Sequence, residues 1–207
     1  MPDGAQHVAF AYSADGKDRF TTVYPNLNLL DGTRDFSGGW DHFWDWTDDG
    51  TYKGLAVKKQ TGVWNGIRKA FTAPKDGAYT FSAYIKSSGD NANTHRYVDH
   101  WDINGIQKQD VGVNDVSMGN NFDWKRDSFT LNLKKGETVS SRYEMVSPGT
   151  LWNAGHKWEQ GSTVTPWMPS LSEVTIEDFP SYIGTYTDNN PNEQSTDPEK
   201  YTWKKIE

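Results

Sequence analysis

Along most of the chain, apolar and polar residues alternate at every second position in short runs broken by Gly, Asn, Asp and Pro. No segment carries a sustained apolar stripe of helical period with caps at both ends, so the pattern predicts an all-β fold. The clearest strand is 77–86, where Tyr79, Phe81, Ala83 and Ile85 face one way and Thr80, Ser82, Tyr84 and Lys86 the other. The run 64–71 precedes it across Ala73-Pro74-Lys75-Asp76-Gly77, whose Pro and Gly supply turn dihedrals, and the two read as an antiparallel hairpin. Further strands are expected at 93–103, 124–133, 138–146, 151–159 and 170–176, separated by turns such as Lys134-Lys135-Gly136-Glu137 and Ser147-Pro148-Gly149. Short strands at this spacing point to a sandwich of two antiparallel sheets. The stretch 104–123, rich in Gly, Asn and Asp, reads as a long surface loop.

A chain of 207 residues is long enough for one principal domain. Hydrophobic residues make up 34%, yet 14% are aromatic and ten are Trp, so apolar surface is concentrated in rings. Rings offer rigid contact area with a polar handle, so some are expected at a binding surface. The net charge of −7 argues against nucleic acid or an anionic membrane as partner, since both reward clustered Lys and Arg. There is no Cys, hence no disulfide and no thiol nucleophile. No stretch approaches the roughly 18 apolar residues of a membrane span, so no membrane insertion is expected. Residues 1–6 lack the pattern of an export signal. The tail 180–198 is dense in Asn, Asp, Pro, Ser and Thr, then resumes with Tyr201-Thr202-Trp203 and stops, which reads as a piece of a longer polypeptide.

Three passages together resemble a known family. Asn28-Leu29-Leu30-Asp31-Gly32-Thr33 leading to Trp40, the hairpin-like stretch 71–86, and His156-Lys157-Trp158-Glu159-Gln160-Gly161-Ser162 through Thr165-Pro166-Trp167 are similar to phage-tail relatives of carbohydrate-binding module families four and nine. Trp158 stands where the closing strand of that pattern usually has Leu. The flanking motifs Ala11-Tyr12-Ser13-Ala14-Asp15-Gly16 and Tyr182-Ile183-Gly184-Thr185-Tyr186-Thr187-Asp188 resemble connecting segments of tail proteins, in the manner of the carbohydrate-binding insertions of evolved distal tail proteins from siphophages of Gram-positive bacteria, Lactobacillus-phage type. The resemblance implies a jelly-roll-like β-sandwich at 28–176 between connecting segments at 1–27 and 177–207. It implies a non-catalytic module in the virion tail that holds host cell-wall polysaccharide during adsorption, beside other tail or baseplate modules. A glycan hydrolase and a purely structural module docking another protein are the alternatives.

Candidate chemistry concentrates in two places. In Trp40-Asp41-His42-Phe43-Trp44-Asp45-Trp46-Thr47-Asp48-Asp49-Gly50, rings alternate with carboxylates, which suits the C–H face and the hydroxyls of a pyranose. Trp44 and Trp46, two residues apart, would share a face in extended chain, whereas Trp40 reads as core. Trp64, between Gly62 and Gly66, is a third stacking candidate. In 93–102, His95, Tyr97, Asp99 and Trp101 face one way and Arg96, Val98, His100 and Asp102 the other, with neither face plainly apolar. Arg96, Tyr97, His100 and Trp101 are therefore expected to contact ligand, with Tyr84 sharing their surface. Asp41, Asp45, Asp48 and Asp49 are weak candidates for a structural Ca2+, since their spacing does not match the D-x-[DN]-x-[DN]-G loop, and no other cofactor is expected. His95 and His100 point to opposite faces and make no zinc pair. The catalytic signatures G-x-S-x-G, H-E-x-x-H and G-x-x-x-x-G-K-[ST] are missing, and no enzymatic activity is expected.

Overall fold

A computed structural model describes residues 4–89 and 94–207. The strands are β1 (Ala5–Ala11), β2 (Thr47–Tyr52), β3 (Leu55–Gln60), β4 (Phe71–Thr72), β5 (Gly77–Ser88) and β6 (Thr94–Trp101). They continue with β7 (Gln107–Lys108), β8 (Val116–Gly119), β9 (Phe122–Leu133), β10 (Thr138–Met145), β11 (Thr150–Gln160), β12 (Tyr182–Asp188) and β13 (Thr202–Lys205). Among the described residues the helical elements are two three-residue 3-10 turns, and no helix is long and apolar enough to cross a membrane.

The fold is the expected all-β, jelly-roll-like sandwich. One sheet runs β2-β3-β11-β5-β9; the other runs β4-β10-β6-β7, with β8 also on β6. Every strand pair is antiparallel. These sheets lie in one compact unit comprising 28–164 and 169–172. Its core is the apolar sets that alternation points inward: Tyr79, Phe81, Ala83 and Ile85 of β5 against Val98 of β6 and Val139, Tyr143 and Met145 of β10. Trp158 of β11 is fully buried at the centre, stacked on Phe71 at 5.3 Å and edge-on to Phe129 at 5.6 Å. Removing a ring so placed costs about 3–5 kcal/mol.

The motifs of the sequence resemblance meet in this core. Buried Asn28 donates to Thr33 Oγ1 (2.8 Å) and to the His156 carbonyl (2.9 Å), while its Oδ1 accepts from the backbone of Leu30 and Trp158. The amide thus spends its donor and acceptor capacity on joining the entry segment to the closing strand.

Several local expectations are corrected. The run 64–71 does not pair with 77–86: β4 pairs with β10, and β5 lies between β9 and β11. The stretch 170–176 makes one parallel bridge, Asn28 to Ser170, and otherwise turns. A hairpin that alternation did not reveal joins β2 to β3 through Lys53 and Gly54, at φ 51° and 77°, the signature of a type I′ turn. Asn93 lies outside the described residues.

The flanks, read as connecting segments, pair with each other in a second compact unit of residues up to 27, 165–168 and 173–207. There β12 lies between β1 and β13, with Ala5 opposite Asp188 and Ala11 opposite Tyr182. A Cβ on either Gly16 or Gly184 would fall within 3 Å of the Trp203 indole, so both glycines serve close packing on that ring.

Candidate functional site

The outward face of β6 and β10 carries Tyr97, Asp99, Arg142 and Glu144, because the pleat sends Val98 of β6 and Val139, Tyr143 and Met145 of β10 inward. Register places Tyr97 of β6 beside Arg142 of β10 and His95 beside Glu144. Arg142 Nη1 donates to Asp99 Oδ2 at 2.5 Å and Arg142 Nε to Glu144 Oε1 at 2.7 Å. The same Asp99 oxygen accepts from Arg68 Nη1. Arg68 is brought to the sheet by a two-way backbone bridge with Asp41. These four ionic side chains, with Asp41, His42, Phe43 and Gly66, line a pocket of about 240 Å³.

Tyr97 orients rather than stacks. The Arg142 guanidinium lies 5.3 Å from its ring centroid and His95 is stacked at 5.8 Å, so its faces are taken by protein. Burial, then the Asp115 and Glu144 carboxylates, push the Tyr97 phenol above its ordinary value, so it remains a hydroxyl at neutral pH.

Two loops form the lip. Asn65, fully buried, accepts from the Phe43 backbone N–H and donates to the Trp44 carbonyl, both at 3.0 Å, clamping the loop before β2 to the loop before β4. Gly66 lies so close to Arg142 that a Cβ there would stand 2.7 Å from Arg142 Cβ. Phe43, Trp44 and Trp64 are 78%, 49% and 51% exposed, large fractions for rings. Phe43 and Trp44 lie 6.4 Å apart, and the Trp44 indole rests on Gly62. Trp64 is held by its N–H bonding to the Met145 carbonyl, and it occupies φ +57°, a region unfavourable to a bulky side chain.

Of the residues singled out in the sequence, the structure sets Trp44 and Trp64 on the two loops that contribute Phe43 and Gly66 to the pocket, and Tyr97 beside Arg142 of its lining. Trp101 is half-buried on the same outward face, one pleat beyond Asp99. The others are placed elsewhere. Trp46 is buried in the core at 6% exposure, because the chain bends at 43–44 and the shared face of extended residues does not apply. Arg96 is buried between the sheets, where Nη1 meets both Asp127 oxygens at 2.8 and 2.9 Å and Tyr143 donates to the same carboxylate. His100 is buried between Asp110 (2.8 Å) and Glu137 (3.1 Å), anchoring the loop after β6. Tyr84 lies on the outer face of the opposite sheet, against Tyr52.

The carboxylates considered for calcium disperse. Asp41 lines the pocket, Asp45 is exposed, Asp48 pairs with Lys58 at 2.8 Å and Asp49 accepts from Trp152 Nε1 at 2.7 Å. Among the described residues no three metal-ligating side chains converge, and these four carboxylates share no common site.

Sequence reasoning did not single out Arg68, Arg142, Glu144 or Asn65. A signal existed for two of them: in Ser140-Ser141-Arg142-Tyr143-Glu144-Met145 the charges alternate with apolar residues, which sets both charges on one face of a strand. Arg68 and Asn65 lie in irregular chain, where periodicity carries no such information.

No protein-family model matches the sequence, and no curated protein matches it. Solved structures do. The xylan-binding domain CBM22-1 from Paenibacillus barcinonensis Xyn10C aligns with TM-score 0.51 and 16% identity over 69% of this chain and 99% of that one. The tandem of two such domains from the same protein gives 0.50 and 16% over 68% of this chain and 48% of that one. At that identity the likeness is one of fold. The tripod from the baseplate of bacteriophage Tuc2009 is similar over 100% of this chain and 80% of that chain, with TM-score 0.64 and 27% identity.

Proposed function

We propose that this protein is a non-catalytic saccharide-binding component of a phage tail or baseplate, which holds host cell-wall polysaccharide during adsorption. The observation that carries the reading is a polar pocket of paired guanidiniums and carboxylates with Phe43 in its lining, and two further exposed rings, Trp44 and Trp64, on the two loops that supply Phe43 and Gly66 to it. Hydroxyls can donate to the carboxylates and accept from the guanidiniums, while a ring's face takes the C–H side of a sugar. The likeness to a phage baseplate tripod supports the setting, and the fold shared with xylan-binding domains supports the ligand class. In that setting the partners are the host glycan and neighbouring tail modules, and the site of action is the bacterial surface. The pocket's carboxylates are engaged by guanidiniums and act as acceptors, which suits binding rather than turnover.

The test is retention of Gram-positive cell-wall polysaccharides by the intact protein and by Trp64→Ala and Phe43→Ala variants. Loss of a stacking ring is expected to weaken binding by about 1–3 kcal/mol with little change in melting temperature, since an exposed ring leaves no cavity. Unchanged binding in both variants rules out the aromatic lip. Release of reducing ends from a bound glycan rules out the non-catalytic reading.

A further inference from the structure

Two arginines in one pocket would ordinarily make an anion clamp, because a guanidinium fork matches phosphate or carboxylate bidentately. Here both guanidiniums already hold carboxylates. Arg68 is held by Asp99, and Arg142 is bracketed by Asp99 and Glu144. The side chains of Arg68, Arg142, Asp99 and Glu144 are 30%, 19%, 19% and 6% exposed, so their charges interact in a partly dehydrated setting. Two positive charges stand against two negative ones, and Asp41 adds a carboxylate to the lining. An entering anion would have to share its guanidiniums with carboxylates already bound to them, at close like-charge range.

A hydroxyl meets no such barrier, because it donates and accepts at once. Among the described residues, Nη2 of both arginines is left without a protein partner, and Asp99 Oδ1 is met by Gln107 Nε2 at 3.5 Å, the outer limit of a hydrogen bond. Open donors and an open acceptor thus lie beside each other at the bridging carboxylate, the arrangement that two adjacent sugar hydroxyls complete.

We infer that the pocket takes an uncharged sugar through adjacent hydroxyls and rejects phosphate- or carboxylate-bearing glycans, with Asp99 as the residue that sets this selectivity. The inference rests on the saccharide-binding reading above and names the ligand class of that same site.

The experiment is a glycan array that carries neutral backbones and their phosphorylated or uronate-bearing counterparts, probed with the full chain. Neutral members are expected to be retained at least about tenfold better than charged ones, with retention unchanged between about 50 and about 500 mM NaCl because no net charge is exchanged. Preference for charged members, weakened by salt, overturns the inference and leaves saccharide binding standing. Retention of no glycan overturns the saccharide-binding reading itself. Asp99→Asn, close in shape, removes the shared counter-charge, and Glu144→Gln removes the one on the other side of Arg142. At least one folded variant, checked by far-UV dichroism and melting temperature, is expected to lose neutral-glycan retention about tenfold and to gain retention of polygalacturonate. Folded variants that gain no affinity for the polyanion overturn the proposed role of the carboxylates.

Discussion

His156 sits fully buried among Phe36, Trp40, Phe81 and Tyr143, with Nε2 2.9 Å from Asn153 Oδ1. Burial pushes its pKa down to about 3, against 6.5 for a free imidazole. The unfolded chain therefore binds a proton that the native state refuses between those values. Stability from this residue is complete above about pH 6.5 and is lost as pH falls toward about 3, at up to about 1.4 kcal/mol per pH unit. A His156→Phe variant, whatever its stability at pH 7, is expected to show a shallower fall in melting temperature from pH 6.5 to 4. An equal slope refutes the assignment. At this scale the sequence was partly legible. It pointed to the aromatic richness and to Trp44 and Trp64, but not to the burial of Trp46, Arg96 and His100. Polarity predicts exposure, and in Arg96 and His100 it was overridden by carboxylates waiting inside the fold, Asp127 for one and Asp110 with Glu137 for the other. Those partners lie 10 to 37 residues away, outside the strand that carries Arg96 and His100, and nothing in that strand announces them.

Strands whose alternation was unbroken were read within a residue or two: β5, β9, β10 and β11 lie close to where the pattern put them. Pairing was less legible, because turn chemistry at 73–77 suggested a hairpin while tertiary contacts sent β4 to β10. The pocket depends on the other neighbour of β10, since β6 beside it sets Asp99 near Arg142. It also depends on one small residue. Gly66→Ala would drive a methyl into the stem of Arg142, where Cβ, Cγ and Cδ all lie within 3 Å of it. Neither stem nor backbone can yield cheaply, so Arg142 must leave its seat between Asp99 and Glu144. Glycan affinity is expected to fall about tenfold or more, with about 1–3 kcal/mol lost in stability. Titration calorimetry beside thermal melting separates the two effects; normal affinity shows that Arg142 does not need this seat.

For the molecule as a whole, a pocket of this size presents a few hydrogen bonds and a few rings to a flexible polymer, and the surplus after ordering costs is small. A single copy is expected to bind weakly, and copies displayed together on a multivalent scaffold to gain about 10²–10⁴ in avidity without any new contact. Surface plasmon resonance of monomeric and scaffold-displayed protein on immobilised glycan measures the ratio; equal affinities would make multivalency irrelevant here. The all-β class follows from alternation and turn residues, whereas the bounds of the central unit are implied by the resemblance. The sheet of β1, β12 and β13 follows from neither, because β1 lies about 170 residues from β12 in sequence, with the whole sandwich between them.

Asn28 and Ser170 face each other across a parallel bridge, with the Asn28 N–H on the Pro169 carbonyl at 3.0 Å. The sandwich is therefore entered and left through neighbouring doors. A stretch with its two ends a single hydrogen bond apart behaves as a cassette, one that recombination can lift out and replace with a sandwich of different pocket chemistry by rejoining two adjacent points. If the pocket binds glycan as proposed, its specificity would change in one such exchange, while β1, β12 and β13 keep their own pairing.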